Sequence, residues 1–166
     1  MEDEYTLRLA SFTDASTLIK HRRWMFEEII ALRGEEPDRT GLVAMEETYR
    51  EYLRQHLADG SLWAWVVEHQ GEGIASGVVT LLACPPSARN LTGVNAYVHS
   101  IYTVPQHRRH GLARRIVAAQ IEHCREQGLK LVSLHASEAG RSVYEALGFE
   151  PRKNEMTLRL DPPPEL

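Results

Sequence analysis

The stretch "VPQHRRHGLARRI", Val104–Ile116, decides how this chain is read. It gathers four arginines and two histidines around one glycine and runs directly into "VAAQIEHCREQG". In that continuation Ala113, Val117, Ile121 and Cys124 recur at helical spacing, so one face of the helix must dock on other structure. A helix N-terminus leaves its first amides unpaired and carries partial positive charge. Gly111 would let an anion approach the backbone there, and Arg108 and Arg109 flank the turn. On spacing alone, this anion site and a solvated charge cluster in front of an ordinary helix stand level. Neither GxGxxG nor GxxxxGKS/T is present, which argues against a dinucleotide or nucleoside triphosphate held in those ways. His107 and His110 would suit a metal only with a third ligand, and none stands nearby; no metal site is expected.

The surrounding composition makes any anion site a local feature. The 166 residues suit one domain, 1–166, with one core. Nineteen Lys and Arg against 23 Asp and Glu leave a net charge of −4, which disfavours general affinity for nucleic acid or an anionic membrane. Cys84 and Cys124 stand apart without metal-ligand spacing and read as reduced thiols. The start "MEDEYTLRL" lacks the order of a signal peptide, and no apolar run reaches the roughly 20 residues of a membrane span. The expectation is a soluble, cytoplasmic protein.

Upstream of the turn, "YTLRLAS" alternates as a half-buried strand. "TDASTLIKHRRWMFEEIIALRG" reads as a helix capped by Thr13 or Asp14, with Leu18, Ile19, Met25, Phe26, Ile29 and Ile30 as its apolar stripe. After the loop "GEEPDRTG", a second helix occupies "AMEETYREYLRQHLADG". The strands "LWAWVVEHQ" and "IASGVVTLLAC" flank a turn at "GEG", and "VNAYVHSIYTV" runs straight into the basic turn. Downstream come a strand "KLVSLHA", a short helix in "SEAGRSVYEALG" and a final strand "NEMTLRL". The order is mixed α and β.

The hexapeptide "RRHGLA", Arg108–Ala113, fits the pattern R/Q-x-x-G-x-G/A. It follows the strand "HSIYTVP" and precedes "HASEAGRSVYEALGFEP", a strand end, a short helix, a tyrosine and Gly-Phe. On these two ordered signatures the chain resembles the GNAT superfamily of N-acetyltransferases from about Val94 to Leu160. The resemblance implies an α+β fold: a mixed, mostly antiparallel sheet flanked by helices, with central strands splayed to admit pantetheine. It implies acetyl-CoA as acetyl donor and no metal. Ile101, Tyr102 and Thr103 would offer backbone groups to pantetheine and the acetyl carbonyl. The amides of Arg109, His110, Gly111, Leu112, Ala113 and Arg114 would take the pyrophosphate. Ser137 stands where the family often has Asn against the pantetheine arm; it is equally a good N-cap for its own helix.

Acetyl transfer needs a neutral amine, a polarised carbonyl and a proton for the departing sulfur. Resemblance makes Tyr144 the general acid. Family members often carry a carboxylate on the strand before the motif, but here that strand offers Asn95, Tyr97, His99 and Ser100. His99 titrates in the right range when unperturbed. Glu28 is the other option, since His21, Trp24 and Glu28 share a second face of the first helix, an aromatic and a carboxylate suited to a cationic amine. That face equally suits plain solvation, and the base stays unassigned. Neither cysteine has a partner that would make it a nucleophile. The reading is transfer of acetyl from acetyl-CoA to a primary amine, of a small molecule or a protein, by direct attack in a ternary complex. Trp24, Glu28, Tyr97 and His99 are the acceptor-side residues. A homodimer would be ordinary among relatives. The rivals are a non-catalytic acetyl-CoA sensor or scaffold of the same fold and a nucleic-acid binder using "QHRRH".

Overall fold

The computed structural model describes residues 5–160. Its elements run β1 (Thr6–Leu9), α1 (Ala15–Leu32), α2 (Arg39–Asp59), β2 (Leu62–His69), β3 (Glu72–Ala83), β4 (Val94–Thr103), α3 (Leu112–Glu126), β5 (Val132–Leu134) and α4 (Arg141–Ala146). The five strands form one sheet in sequential order, antiparallel throughout except for the parallel β4–β5 pair. This is the mixed, mostly antiparallel sheet that the motif order implied.

β2 and β3 are buried on both faces, which is why they read as nearly continuous apolar runs. Leu62, Ala64, Val66 and Val78 pack beneath Leu18 and Ile19 of α1 and Leu53 of α2. Trp65, Val67, Ala75, Val79, Ala96 and Val98 face Leu112, Ile116 and Cys124 of α3. Gln70 (φ 51°) and Gly71 (φ 81°) make the hairpin turn, left-handed at both positions as the twist of paired strands prefers. The turn therefore falls one residue before the expected "GEG".

Several expected boundaries move for identifiable reasons. The capping box at the start of the first helical segment uses Ser11, whose Oγ accepts the Thr13 amide, while Asp14 is gripped by Arg8. α2 begins at Arg39, inside the expected loop, because Asp38 caps it by accepting the Gly41 amide at 3.0 Å. In α1 only Ala15, Leu18, Ile19 and His21 are fully buried, so the expected stripe from Met25 to Ile30 is half-exposed. In α4 Val143 and Tyr144 are half-buried, as is Leu147 at its end.

The expected last strand does not form. Residues 154–160 lie off the sheet, with Met156, Leu158 and Leu160 exposed at 96%, 82% and 89%. Alternation makes a segment fit to be a strand, but a strand also needs a free edge within reach. β5, the edge of the sheet on that side, is only three residues long, and among the described residues no strand is added to its outer edge.

The pairing of β4 positions the site. On the β5 side it ends at Val98–Leu134, whereas β4 continues to Thr103. Among the described residues, His99–Thr103 thus have β3 on one side and no strand on the other. A bulge lies at the same point, because the register to β3 shifts between Ser76 and Val78 and Ser100 is left-handed at φ 53°. Gly77 lies opposite the bulge, where a Cβ would come within 2.7 Å of Ile116 and 2.9 Å of Gln120.

Candidate functional site

The bulge reverses which residues of β4 face which layer. Before it, Ala96 and Val98 point into the α3 core; after it, Ile101 does. Tyr97 and His99, then Ser100 and Tyr102, are thereby turned to the α1–α2 side. The backbone of His99–Thr103, lacking a strand partner beyond β5, opens into the gap on its other edge.

Next to that gap stands the basic turn. A 3-10 turn at Pro105–His107 leads through Arg109 (φ 67°) and Gly111 (φ 72°), both left-handed, into α3. No side chain caps the helix, and the Arg115 amide is the first to find an intrahelical carbonyl, Gly111 O at 3.0 Å. The N–H groups of Leu112, Ala113 and Arg114 are left as donors by the helix geometry itself. Arg109 and Arg114 are exposed and make no ion pair among the described residues. The imidazole of His110 donates from Nδ1 to the Arg108 carbonyl at 2.9 Å, and His107 meets the Tyr5 hydroxyl at 3.2 Å. The turn is thus braced from behind.

Arg108 behaves differently from its neighbours. Its Nη2 lies 2.7 and 2.8 Å from the two oxygens of Glu28, and its Nε donates to Thr103 O at 2.9 Å. Glu28 also accepts the Tyr102 hydroxyl at 2.8 Å. Burial and that carboxylate push the Tyr102 phenol up to about 12. Trp24 packs near Tyr102 and lines a groove with Glu28, Val104 and Gln106. The guanidinium expected at the phosphates is held by α1, and the carboxylate considered as a base is already bound by two donors.

Tyr97 and His99 lie in a second, separate cluster. His99 Nε2 is 2.8 Å from Thr80 Oγ1, which is 2.9 Å from the Tyr52 hydroxyl; His99 Nδ1 is 2.9 Å from Ser100 Oγ. Arg22 donates to the same Ser100 oxygen at 2.6 Å. Burial, with the Arg22 charge adding to it, pushes the His99 imidazole down to about 4, so it is neutral near pH 7. Tyr97 stacks on His99 and meets His135 at 2.7 Å. The four acceptor-side residues read from sequence are therefore split, Trp24 and Glu28 beside the basic turn, Tyr97 and His99 beside the bulge.

Ser137 closes the turn ahead of α4, its Oγ accepting the Gly140 amide at 3.2 Å, and the helix itself, which starts after Gly140, has no side-chain cap. Gly140 leaves room for the Tyr144 ring, which a Cβ would meet at 3.0 Å. The Tyr144 hydroxyl has no hydrogen-bond partner among the described residues, and burial raises its pKa above the ordinary phenol value. Cys124 is buried, its thiol pushed up to about 11, which makes it a packing residue. Arg22, Thr80 and Ser100 were not singled out from the sequence as site residues. The one signal for them is the shift of apolar parity in β4, from Ala96 and Val98 to Ile101.

The family model described as "Acetyltransferase (GNAT) family" matches residues 24–149. The chain is similar to a GCN5-related N-acetyltransferase from Ralstonia eutropha JMP134, at 27% identity over 94% of this chain and 98% of that one, with a TM-score of 0.82. It is similar to a predicted acetyltransferase with acetyl-CoA from Clostridium acetobutylicum, at 26% identity over 94% and 96%, TM-score 0.83. It shares the fold of glucosamine-6-phosphate N-acetyltransferase from Arabidopsis thaliana, at 16% identity over 96% and 100%, TM-score 0.69.

Proposed function

This chain belongs to the acetyltransferase (GNAT) family, and from that premise we propose that it transfers acetyl from acetyl-CoA to the primary amine of a small molecule by direct attack in a ternary complex. The observation that carries the reading is the pairing of two donor sets: the open edge of β4 from His99 to Thr103 and the uncapped start of α3. The amides from Arg109 to Arg114, with the exposed guanidinium groups of Arg109 and Arg114, fit a pyrophosphate. Acetyl-CoA supplies an activated thioester carbonyl when bound. Backbone groups of Ile101, Tyr102 and Thr103 fit the pantetheine arm and the carbonyl oxygen, where a fixed donor lowers the cost of developing charge.

Tyr144 is the proton donor to the sulfur as the carbon–sulfur bond breaks. Its raised pKa keeps the phenol protonated throughout the working pH range. His99 is too weakly basic to strip an ammonium by itself. It acts as a relay: one ring nitrogen accepts a proton while the other passes one on, along Ser100, His99, Thr80 and Tyr52. The amine proton leaves by this route or by water, and solvent reprotonates Tyr144. Similarity in fold to an enzyme named for glucosamine-6-phosphate supports a small-molecule acceptor.

Calorimetry with coenzyme A and a thiol-release assay with an amine panel test the reading together. Uptake with turnover supports it. Uptake without turnover on any amine would favour a sensor of the same fold, and no uptake by folded protein would remove the acetyl-CoA site altogether.

A further inference from the structure

Among the arginines that tie this fold together, Arg22 lacks a counter-ion. Arg8 pairs with Asp14 and Glu68, Arg23 with Glu27 and Glu46, and Arg108 with Glu28. Arg22 is only partly exposed, yet among the described residues it has no carboxylate within 4.0 Å. Its guanidinium lies 4.6 Å from the ring centre of Tyr49 and 5.0 Å from that of Phe26. Among the described residues its one hydrogen bond goes to a neutral oxygen, Ser100 Oγ. The Nε is buried without a partner among the described residues, and the phenol of Tyr49, a residue only 6% exposed, reaches the same Ser100.

Holding a cation partly out of water without an anion has a cost, and aromatic faces offset only part of it. The cation and the Tyr49 phenol both lie beside Ser100 at the bulge, with no ion pair there among the described residues. The positive field reaches the neighbouring groups, because Arg22 contributes to the shifts of His99, Tyr97 and Tyr49. The carboxylate that reaches this cluster, Glu155, acts on Tyr97 and forms no ion pair with Arg22.

We propose that Arg22 is the docking point for an oxyanion carried by the acceptor, so that the enzyme selects amines bearing a carboxylate or phosphate a few bonds from the nitrogen. This rests on the acetyl-transfer reading of the same cleft. The planar fork of Arg22 matches either oxyanion. A polycationic amine would instead meet like charge beside the reacting centre.

The test is a matched panel of glycine, phenylalanine and O-phosphoethanolamine against glycine methyl ester, phenylalanine methyl ester and ethanolamine, with spermidine as polycation. Each is measured as kcat/KM with wild type, Arg22→Gln and Arg22→Lys; taking each acid-to-neutral ratio relative to wild type cancels the differing basicity of the amines. Arg22→Gln should lower the ratio about tenfold or more, Arg22→Lys should restore part of it, and the KM for acetyl-CoA should hold. Thermal melting of each variant separates loss of fold from loss of recognition, and Arg22→Lys carries the test if Arg22→Gln does not fold. A ratio indifferent to both variants, or spermidine as the best acceptor, overturns the proposal while acetyl transfer itself stands. No transfer to any amine by a protein that binds coenzyme A overturns both.

Discussion

One terminal nitrogen of Arg108 lies 2.7 and 2.8 Å from the two carboxylate oxygens of Glu28, so the first arginine of the basic turn is held by α1. The pair is 42% exposed on each side, and its direct contribution to stability is at most about 1 kcal/mol. Its effect is to brace α1 against the turn and to keep this guanidinium off the anion site. Arg108→Gln should therefore change the coenzyme A dissociation constant by less than about threefold. The double change of Arg109→Gln and Arg114→Gln should weaken it by about tenfold or more, because those groups are exposed and make no ion pair among the described residues. Calorimetry at low and high salt reads both, and the double variant should also lose salt dependence.

Two imidazoles are folded in their neutral form, and this fixes how stability depends on pH. His21, 0% exposed and hydrogen-bonded to Ser76 at 2.8 Å, is pushed down to about 4 by burial and then by Lys20. His99 is pushed to about 4 by burial and then by Arg22. Each has a folded pKa below its unfolded value, so the unfolded chain binds more protons at acid pH. Stability is then fully present above about pH 6.5, lost progressively toward pH 4, and no longer falling from this cause below that. The loss is on the order of 2 to 3 kcal/mol for each imidazole. Denaturant melts between pH 7.5 and 4.5 should show it, and His99→Gln should flatten the slope. A pH-independent midpoint in that window would contradict both assignments.

How far the sequence carried depends on which physical signal was available. The basic turn and α3 were legible because Gly111, the arginines and the period of Val117 and Cys124 are all local signals. β2 and β3 were legible because burial on both faces leaves an apolar run. The last strand was misread because alternation at Met156, Leu158 and Leu160 says nothing of whether the segment reaches the sheet. The site divides in the same way. Backbone donors follow from the motif, whereas the Glu28–Arg108 and Arg22–Ser100 contacts join residues 80 and 78 positions apart. Such contacts depend on the bulge at Ser100, whose only trace in the sequence is a shift in apolar parity.

Gln120 is 0% exposed inside the α3 core, and both atoms of its amide lack partners. It lies against Gly77, opposite the bulge, where an added Cβ would come 2.9 Å from its Nε2. A buried amide without hydrogen bonds costs more than an apolar group of the same shape. Gln120→Met should raise stability by about 1–2 kcal/mol, seen as a higher melting temperature, with coenzyme A affinity unchanged. A lower melting temperature would mean that a buried water satisfies the amide and that the amide supports the bulge.

Tyr144 offers the sharpest separation of chemistry from structure. Its hydroxyl has no partner among the described residues, while its ring packs edge-on to Phe149 at 6.0 Å and against Gly140. Tyr144→Phe keeps the ring and removes only the hydroxyl. The melting temperature and the coenzyme A dissociation constant should both stay within error of wild type, because nothing structural is lost. The value of kcat should fall by about a hundredfold, since the departing sulfur would leave without a positioned acid. The loss should shrink with donors whose thiol is more acidic, because a better leaving group needs less protonation. A full-rate Tyr144→Phe enzyme would place the proton donor elsewhere, and a variant that melts early would make Tyr144 a packing residue.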